Sequence, residues 1–403
     1  MNLTTTADPM AGGADAVTGI GMDYLLALVG AFQTGDMITL TFTDSTTGLQ
    51  TQVGAGWATG IQMQYVMTLN DKLYGVAGKT VYFCALADPI TWNDPNAAGN
   101  GFKALSNSYG MTQDLAALSV YQGKIAAVGR NQVQIFSVDP DPANNGQPQV
   151  LPNIGTVAKE TVRAVGDMDL YMLGDTGVRS VRVRDASNNA IIADIGTPID
   201  AILQPLLASL TDDQKALACG IVEPTSNRYW VYVPKPDGSA GSIYVFSYFT
   251  SSQIAAWGTY NPSYAVAGVQ TSFVPTKFCV FKGQVYCRAG DNIYQFGGST
   301  NMVYDNCGAS WTMPYVDMGA PGTRKQFESV DMAFEGTWTL KASADFASNV
   351  YKSLYANTAP SFQLGAIGWG VAGTHYSFQG VESGSGYARF ASVVCHVKAG
   401  NEK

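Results

Sequence analysis

One rhythm dominates the middle of the chain: an apolar run, a turn of Gly, Asp or Asn, then a run rich in aromatics. It reads LNDKLYGVAGKTVYF from Leu69, YQGKIAAVGRNQVQIF from Tyr121, GDMDLYMLGDTGVRSV from Gly166 and FKGQVYCRAGDNIYQF from Phe281. Short alternating segments around tight turns are the signature of β-hairpins. The first three copies start about 45 to 50 residues apart, the spacing expected of four-stranded propeller blades. The chain is therefore expected to be mainly β, with a β-propeller core that serves as a scaffold and leaves function to loops, surfaces and assembly.

Composition agrees. Among 403 residues, 44 are Gly and 21 Tyr while only 13% are charged, which suits turn-rich sheets better than helical bundles. A net charge of −8 gives the chain no electrostatic reason to grip nucleic acid, so DNA is expected to slide past it without tight binding. No apolar run is long enough for a membrane span. The start, MNLTTTADPMAGGADAVTG, lacks the basic flank and apolar stretch of a secretory leader, so assembly in a cytoplasm is expected. Cys84, Cys219, Cys279, Cys287, Cys307 and Cys395 form no CxxC pair and read as small buried hydrophobes.

Four regions follow from the pattern. Residues 1–20 have little to bury and read as an N-terminal arm that orders on a neighbour. Residues 21–60 read as a small α+β module. In it, Met22, Leu25, Leu26, Val29 and Phe32 fall at helical spacing, and DMITLTFTDSTTGLQTQVG forms a hairpin. Residues 61–307 form the expected propeller, interrupted over 198–218 by a helical insertion that breaks at Pro205 and restarts at a Thr211/Gln214 capping box. Residues 308–403 read as a C-terminal β-sandwich, with a Gly- and Ser-rich stretch over 357–386 as exposed loops.

Candidate chemistry is sparse. His375 and His396 sit in no nucleophile context such as GxSxG. DPDPANNG, with Asp139, Asp141, Asn144 and Asn145, resembles a calcium loop but carries two prolines and lacks the distal Glu. Gly19-Ile20-Gly21 does not follow a strand, as a phosphate-binding loop would. Asp167, Asp169, Asp175 and Asp291 could supply a glycosidase acid pair, yet Asp in a turn also serves by capping it. In GVRSVRVRD, read as a strand, Arg182 and Arg184 share one face and Arg179 takes the other. These three are proposed intersubunit contacts, set against acidic neighbours, with a charge-guarded edge strand as the alternative.

The ordered string VYFCALADPITWN, LAALSVYQGKIAAVGRNQVQIFSVDPDP, LPNIGTVAKETVRAVGDMDLYMLGDTGVRSVRVRD, DIGTPID and NRYWVYVP resembles the propeller region of tail nozzle proteins of short-tailed bacteriophages. SYFTSSQIAAWGTY, YQFGG, VYD and YVDMGAPGTRKQFESVDMAFEGTW resemble later parts of that family, and the likeness runs over about residues 35–345. The resemblance implies a structural virion protein: a homo-oligomer, a hexameric tube around a propeller, docked beneath portal and adaptor rings. It would carry tail fibres or spikes at its side, retain the packaged genome and form the conduit for its ejection. No catalytic residue, cofactor or metal is carried over. The alternative is a host-facing adhesin or glycan-binding propeller, with Trp257, Tyr260 and Trp369 as a sugar platform.

Overall fold

A computed structural model describes residues 2–6, 14–18, 37–43, 50–53, 63–92, 99–105, 110–139, 144–146, 148–187, 194–225, 227–249, 254–266, 269–297, 308–346, 351–368, 372–383 and 388–399. The chain is mainly β and divides into two compact units, Met1–Pro262 with Phe273–Tyr294, and Ser263–Ser272 with Gln295–Lys403. The last division falls between Tyr294 and Gln295, ahead of the expected boundary at 307, and the hairpin of Ser263–Val266 and Val269–Ser272 belongs with the second unit.

The first unit begins with a four-stranded antiparallel sheet in the order Ala14–Thr18, Asn2–Thr6, Met37–Thr43, Gln50–Val53. The hairpin expected after residue 36 is present, with Leu40 opposite Val53 and Thr43 opposite Gln50. Within the expected N-terminal arm, Asn2–Thr6 pairs with both Ala14–Thr18 and Met37–Thr43. Its three Thr residues favour extended backbone, and a strand on each side satisfies its backbone groups. The helix expected over 22–32 lies outside the described residues.

Five antiparallel meanders follow, each pairing sequence neighbours. The first comprises Tyr65–Leu69, Lys72–Ala77, Thr80–Ala85 and Asp88–Trp92, with Gly101–Ala104 also on Thr80–Ala85. The second comprises Leu115–Tyr121, Lys124–Gly129, Gln132–Phe136 and Gln149–Pro152. The third comprises Arg163–Val165, Asp169–Gly174 and Gly177–Ser180. The fourth comprises Cys219–Glu223, Arg228–Val233, Ser242–Phe249 and Ile254–Tyr260. The fifth comprises Lys277–Phe281, Gln284–Ala289 and Asn292–Gln295. In three of them the first turn places two successive residues at positive φ: Asn70 and Asp71 (49° and 57°), Gln122 and Gly123 (51° and 69°), Lys282 and Gly283 (50° and 77°). That is the type I′ geometry whose twist matches the strands it joins.

First strands of successive meanders lie side by side. Leu115–Tyr121 meets Tyr65–Leu69 and Arg163–Val165, which in turn meets Cys219–Glu223, which meets Lys277–Phe281. Apolar layers fill the spaces between sheets. Tyr74, Val76, Phe83, Leu118 and Phe136 join the first and second sheets. Ala117, Val133, Leu170 and Met172 join the second and third. Leu173, Val178, Tyr229, Val231 and Phe246 join the third and fourth.

The helical insertion is where the sequence places it, but Pro205 does not break it: Asp200–Ser209 is one helix with Pro205 inside. Leu203 and Leu207 on this helix are buried in the third–fourth layer, and that burial holds it across the lost backbone hydrogen bond. The capping box is present, with Gln214 N donating to Thr211 Oγ1 (3.2 Å) and Thr211 N donating to Gln214 Oε1 (2.9 Å).

The second unit is built around one long strand. Beside the hairpin of Ser263–Ser272, its described residues form a six-stranded sheet organised on the 20-residue strand Lys325–Ala344. Along one side runs Lys352–Gly368. Along the other, Arg389–Ala399 covers its first half and Tyr376–Glu382 its second. Much of the stretch 357–386, expected as loops, is therefore strand, because its backbone groups pair with a partner that local composition does not reveal. Register shifts at Gly336, whose φ is 91°. Side chains from Phe327 to Ala342 bury one face. Trp311, on the edge strand Ser310–Thr312, reaches Phe390 on Arg389–Ala399 (4.7 Å between ring centroids) and closes the sheet over that face.

Candidate intersubunit and axial sites

The three arginines do not share a strand. The strand ends at Ser180 and Val181–Ser187 is an α-helix, so Arg182 and Arg184 are helical and only Arg179 is on a strand. Helix formation is enforced locally: Ser180 Oγ accepts from Val183 N (3.2 Å) as an N-cap, and Asp169 Oδ1 accepts from Arg182 N (3.0 Å). A serine three residues ahead of Val183 was the available signal; the alternating Val-Arg pattern obscured it. Arg179 is buried and turns inward. Its guanidinium forms a two-pronged pair with Asp200 (2.9 Å on each prong) and donates to the carbonyls of Thr176 and Val178. It anchors the start of the Asp200–Ser209 helix, where a carboxylate is favoured, and is spent within the chain. Arg182 remains exposed.

Ser180 sits between two carboxylates. Its hydroxyl donates to Asp169 Oδ2 (2.7 Å) and its amide to Asp194 Oδ1 (3.0 Å), which also accepts from Ile195 N (2.7 Å). Burial pushes both carboxyls above the ordinary range, against the opposing pull of these hydrogen bonds. Asp194 Oδ2 is buried without a hydrogen-bond partner. Nearby, Tyr121 Oη donates to Asp185 (2.9 Å); burial first, and this bond second, raise the phenol.

The turn acids bind the sheets together. Asp167 accepts from Gly123 N across the second and third meanders (2.9 Å). Asp175 meets Arg130 Nε and Lys215 Nζ, each at 2.9 Å, and Arg130 also reaches Asp212 (2.5 Å). Burial pushes Asp175 up, but the hydrogen bonds from Arg130 and Lys215 outweigh it and hold the carboxyl below its usual range. One network thus links turns of the second and third meanders to the helical insertion. Asp291 is exposed in its turn.

Where the first strands converge, Glu160 faces Arg163 Nη2 (3.5 Å) and Lys277 Nζ (3.6 Å). Arg163 Nε donates to Gly220 O (2.8 Å) and Lys159 Nζ to Gln64 O (2.9 Å). Burial raises the Tyr65 phenol, opposed by the adjacent Arg163. This cluster draws on the first, third, fourth and fifth meanders and was not singled out in the sequence, where its members are scattered. It holds one carboxylate among three cations. A glycosidase needs two acids facing each other across the sugar; this arrangement joins sheets by charge-assisted hydrogen bonds.

Other candidates have structural surroundings. Trp257 donates its indole N–H to Ile195 O (2.7 Å) and packs on Phe246, while Tyr260 packs edge-on against Trp230. Trp257 is half-buried by these contacts while Tyr260 stays exposed, and Trp369 lies outside the described residues, as do Cys307, Asp141 and Gly19–Gly21. Asp139 N donates to Asn145 Oδ1 (2.8 Å). His375 Nδ1 meets Thr374 Oγ1 and His396 Nε2 meets Asp331 Oδ2. Cys84, Cys219 and Cys287 are buried as expected, and burial raises the Cys287 thiol to about 12; Cys279, by contrast, is exposed.

No protein-family model matches the chain, and no curated protein matches it. Among solved structures, it is similar to an exo-β-1,3-galactanase from Phanerochaete chrysosporium (10% identity, TM-score 0.28, covering 89% of this chain and 100% of that one). It is also similar to a putative 6-phosphogluconolactonase from Bacteroides uniformis (10% identity, TM-score 0.36, 83% and 82% covered). A third is PorZ, a surface component of the type-IX secretion system of Porphyromonas gingivalis (10% identity, TM-score 0.28, 90% and 63% covered). Likenesses this slight assign no activity to this chain.

Proposed function

We propose that this chain is a structural protein of the virion, of the tail nozzle type found in short-tailed bacteriophages. In this reading the five meanders form a β-propeller, and copies assemble into a ring, hexameric as the resemblance implies. The ring docks beneath portal and adaptor proteins and carries fibres or spikes at its side. It retains packaged DNA and passes it during ejection. The observation that carries the scaffold reading is the use made of the acids: Asp167, Asp169 and Asp175 are all engaged in bonds that join strands, turns or helices. Acids consumed in this way stabilise a framework and are poorly placed to exchange protons with a substrate.

The test is imaging of the purified chain together with assays for the competing activities. A ring in negative-stain images, no retardation of duplex DNA at low salt and no release of reducing sugar from host polysaccharide are expected. A monomer that releases sugar, and loses that activity on a single change such as Asp169→Asn, would overturn the assignment.

A further inference from the structure

Like charges face each other in the fifth sheet. Lys277 on its first strand and Arg288 on its second are register partners, so their side chains share one face, where a like-charged pair directly opposite is destabilising. Local bonds fix this pairing. Thr276, next to Lys277, donates its amide (2.8 Å) and its hydroxyl (2.9 Å) to the carbonyl of Arg288. Arg288 is exposed, its Nε donates to Gly290 O (3.0 Å), and among the described residues no carboxylate pairs with it.

Lys277 has one acidic neighbour, Glu160, and shares it with Arg163. Glu160 lies 3.6 Å from Lys277 Nζ and 3.5 Å from Arg163 Nη2. Both contacts are longer than a charge-assisted hydrogen bond of about 2.7–2.9 Å, and longer than the 2.9 Å that Arg179 makes to Asp200 or Arg130 to Asp175. One carboxylate thus stands between two cations without closing on either. Arg163 is held in place by the carbonyls of Gly220 (2.8 Å) and Val162 (3.3 Å). Lys159, in the same turn as Glu160, ends on Gln64 O. In a chain of net charge −8, three cations, Arg163, Lys277 and Arg288, therefore gather around a single carboxylate, with two positive charges in excess.

We propose that this cluster, where the first strands converge, binds a compact dianion, specifically a phosphate group, whether or not the chain forms a ring. Arg288 presents a planar fork whose terminal nitrogens suit two phosphate oxygens, and Lys277 opposite supplies a point charge. A dianion between them replaces their repulsion by attraction and matches the excess charge, which a carboxylate ligand would only halve. Arg163 adds its field from beside Glu160. Glu160 competes with the phosphate for Lys277 and Arg163, so its charge sets an upper limit on the affinity.

That competition gives the test its sign. The full chain is titrated with inorganic phosphate by calorimetry, against sodium chloride of equal ionic strength. One phosphate per chain is expected, with a rise in Tm that chloride does not reproduce. Lys277→Gln and Arg288→Gln should each weaken phosphate binding about tenfold or more, as loss of a hydrogen bond to a charged group does. Glu160→Gln should tighten it, whereas a fall in Tm without tightening would make Glu160 a joint between sheets alone and overturn the site. Lys235→Gln, in an exposed turn of the fourth meander, should leave binding unchanged; an equal loss there would reduce the effect to general charge attraction and overturn the proposal. AMP and adenosine separate the sources of the phosphate. AMP binding as tightly as phosphate, with adenosine inert, supports a phosphate carried on a small molecule, and binding of phosphate but not AMP supports the free anion. Heat indistinguishable from that of chloride, or unchanged binding in an Arg288→Gln chain that is folded by circular dichroism, overturns the site.

Discussion

The first unit's meanders are assembled from short strands that pair with their neighbours in sequence, whereas the second unit depends on one strand of 20 residues. That strand pairs with the next strand, Lys352–Gly368, and also with Ala372–Gly373, Tyr376–Glu382 and Arg389–Ala399 further along the chain. In the first unit, each of the three joints among the first four meanders has its own apolar layer, so damage at one of them leaves the others intact except through shared residues. In the second, Lys325–Ala344 contributes to every part of a single core, so damage to that strand is damage to the whole unit. Local contacts also form early and cheaply, while distant pairings must first overcome the entropy of closing long loops.

The sharpest test of that difference is Phe327→Ala. Phe327 is fully buried and its ring lies 5.5 Å from Tyr376 and 5.6 Å from Phe378. Truncation of a core aromatic costs about 3–5 kcal/mol. Calorimetry should show one unfolding transition falling sharply while another stays in place. Equal displacement of all transitions would mean that the two units do not unfold separately.

Arg179→Ala applies the corresponding test to the first unit. It leaves Asp200 partly buried without its partner, at a cost of about 2–4 kcal/mol once remaining solvent access is allowed for. Hydrogen exchange should rise in the Asp200–Ser209 helix and the third meander, with little change in the first. Faster exchange across all five meanders would show that the joints act as one.

Thr211→Ala removes the N-cap of the short helix Asp212–Ala216 and should cost about 1 kcal/mol. Thermal denaturation is sufficient to detect it, and no change in Tm would show that the Arg130, Asp175 and Lys215 network alone holds that helix.

A smaller effect appears in the pH dependence. Burial raises Asp194, so the native state binds its proton more readily than the unfolded chain does. Stability from this group is therefore gained as pH falls through the raised value and is complete below the ordinary carboxyl pKa of about 3.9. Asp175 has the opposite sign: its lowered pKa contributes stability above the ordinary value, which is lost as pH falls through the lowered one. Between neutral pH and about pH 4.5, wild type should gain Tm relative to Asp194→Asn. A difference that shrinks in that direction would contradict the burial of this carboxyl.

Legibility in the sequence follows the same division between local and distant contacts. The meanders could be read because Asn70, Asp71, Gly123 and Gly283 tolerate the positive φ that a tight hairpin turn requires, and because the strands they join are adjacent. The Thr211/Gln214 box was equally readable, since both members of the motif lie within one turn of helix. The segment after Ser180 was misread because Val-Arg alternation favours a strand, while the Asp169 carboxylate that steadies the new helix comes from an earlier strand. Arg179 carried no mark of its fate, because its partner Asp200 lies 21 residues away.

What the sequence determined by itself is the mainly β character, the repeated hairpins and the capped helical insertion, all set by interactions among residues a few positions apart. Only the tertiary structure decided that residues 357–386 contribute strands, that Arg179 faces inward, and that Glu160, Arg163 and Lys277 meet where the sheets converge. Those outcomes depend on which distant backbone edges and charges are brought together, and such pairings leave no local pattern from which they can be read.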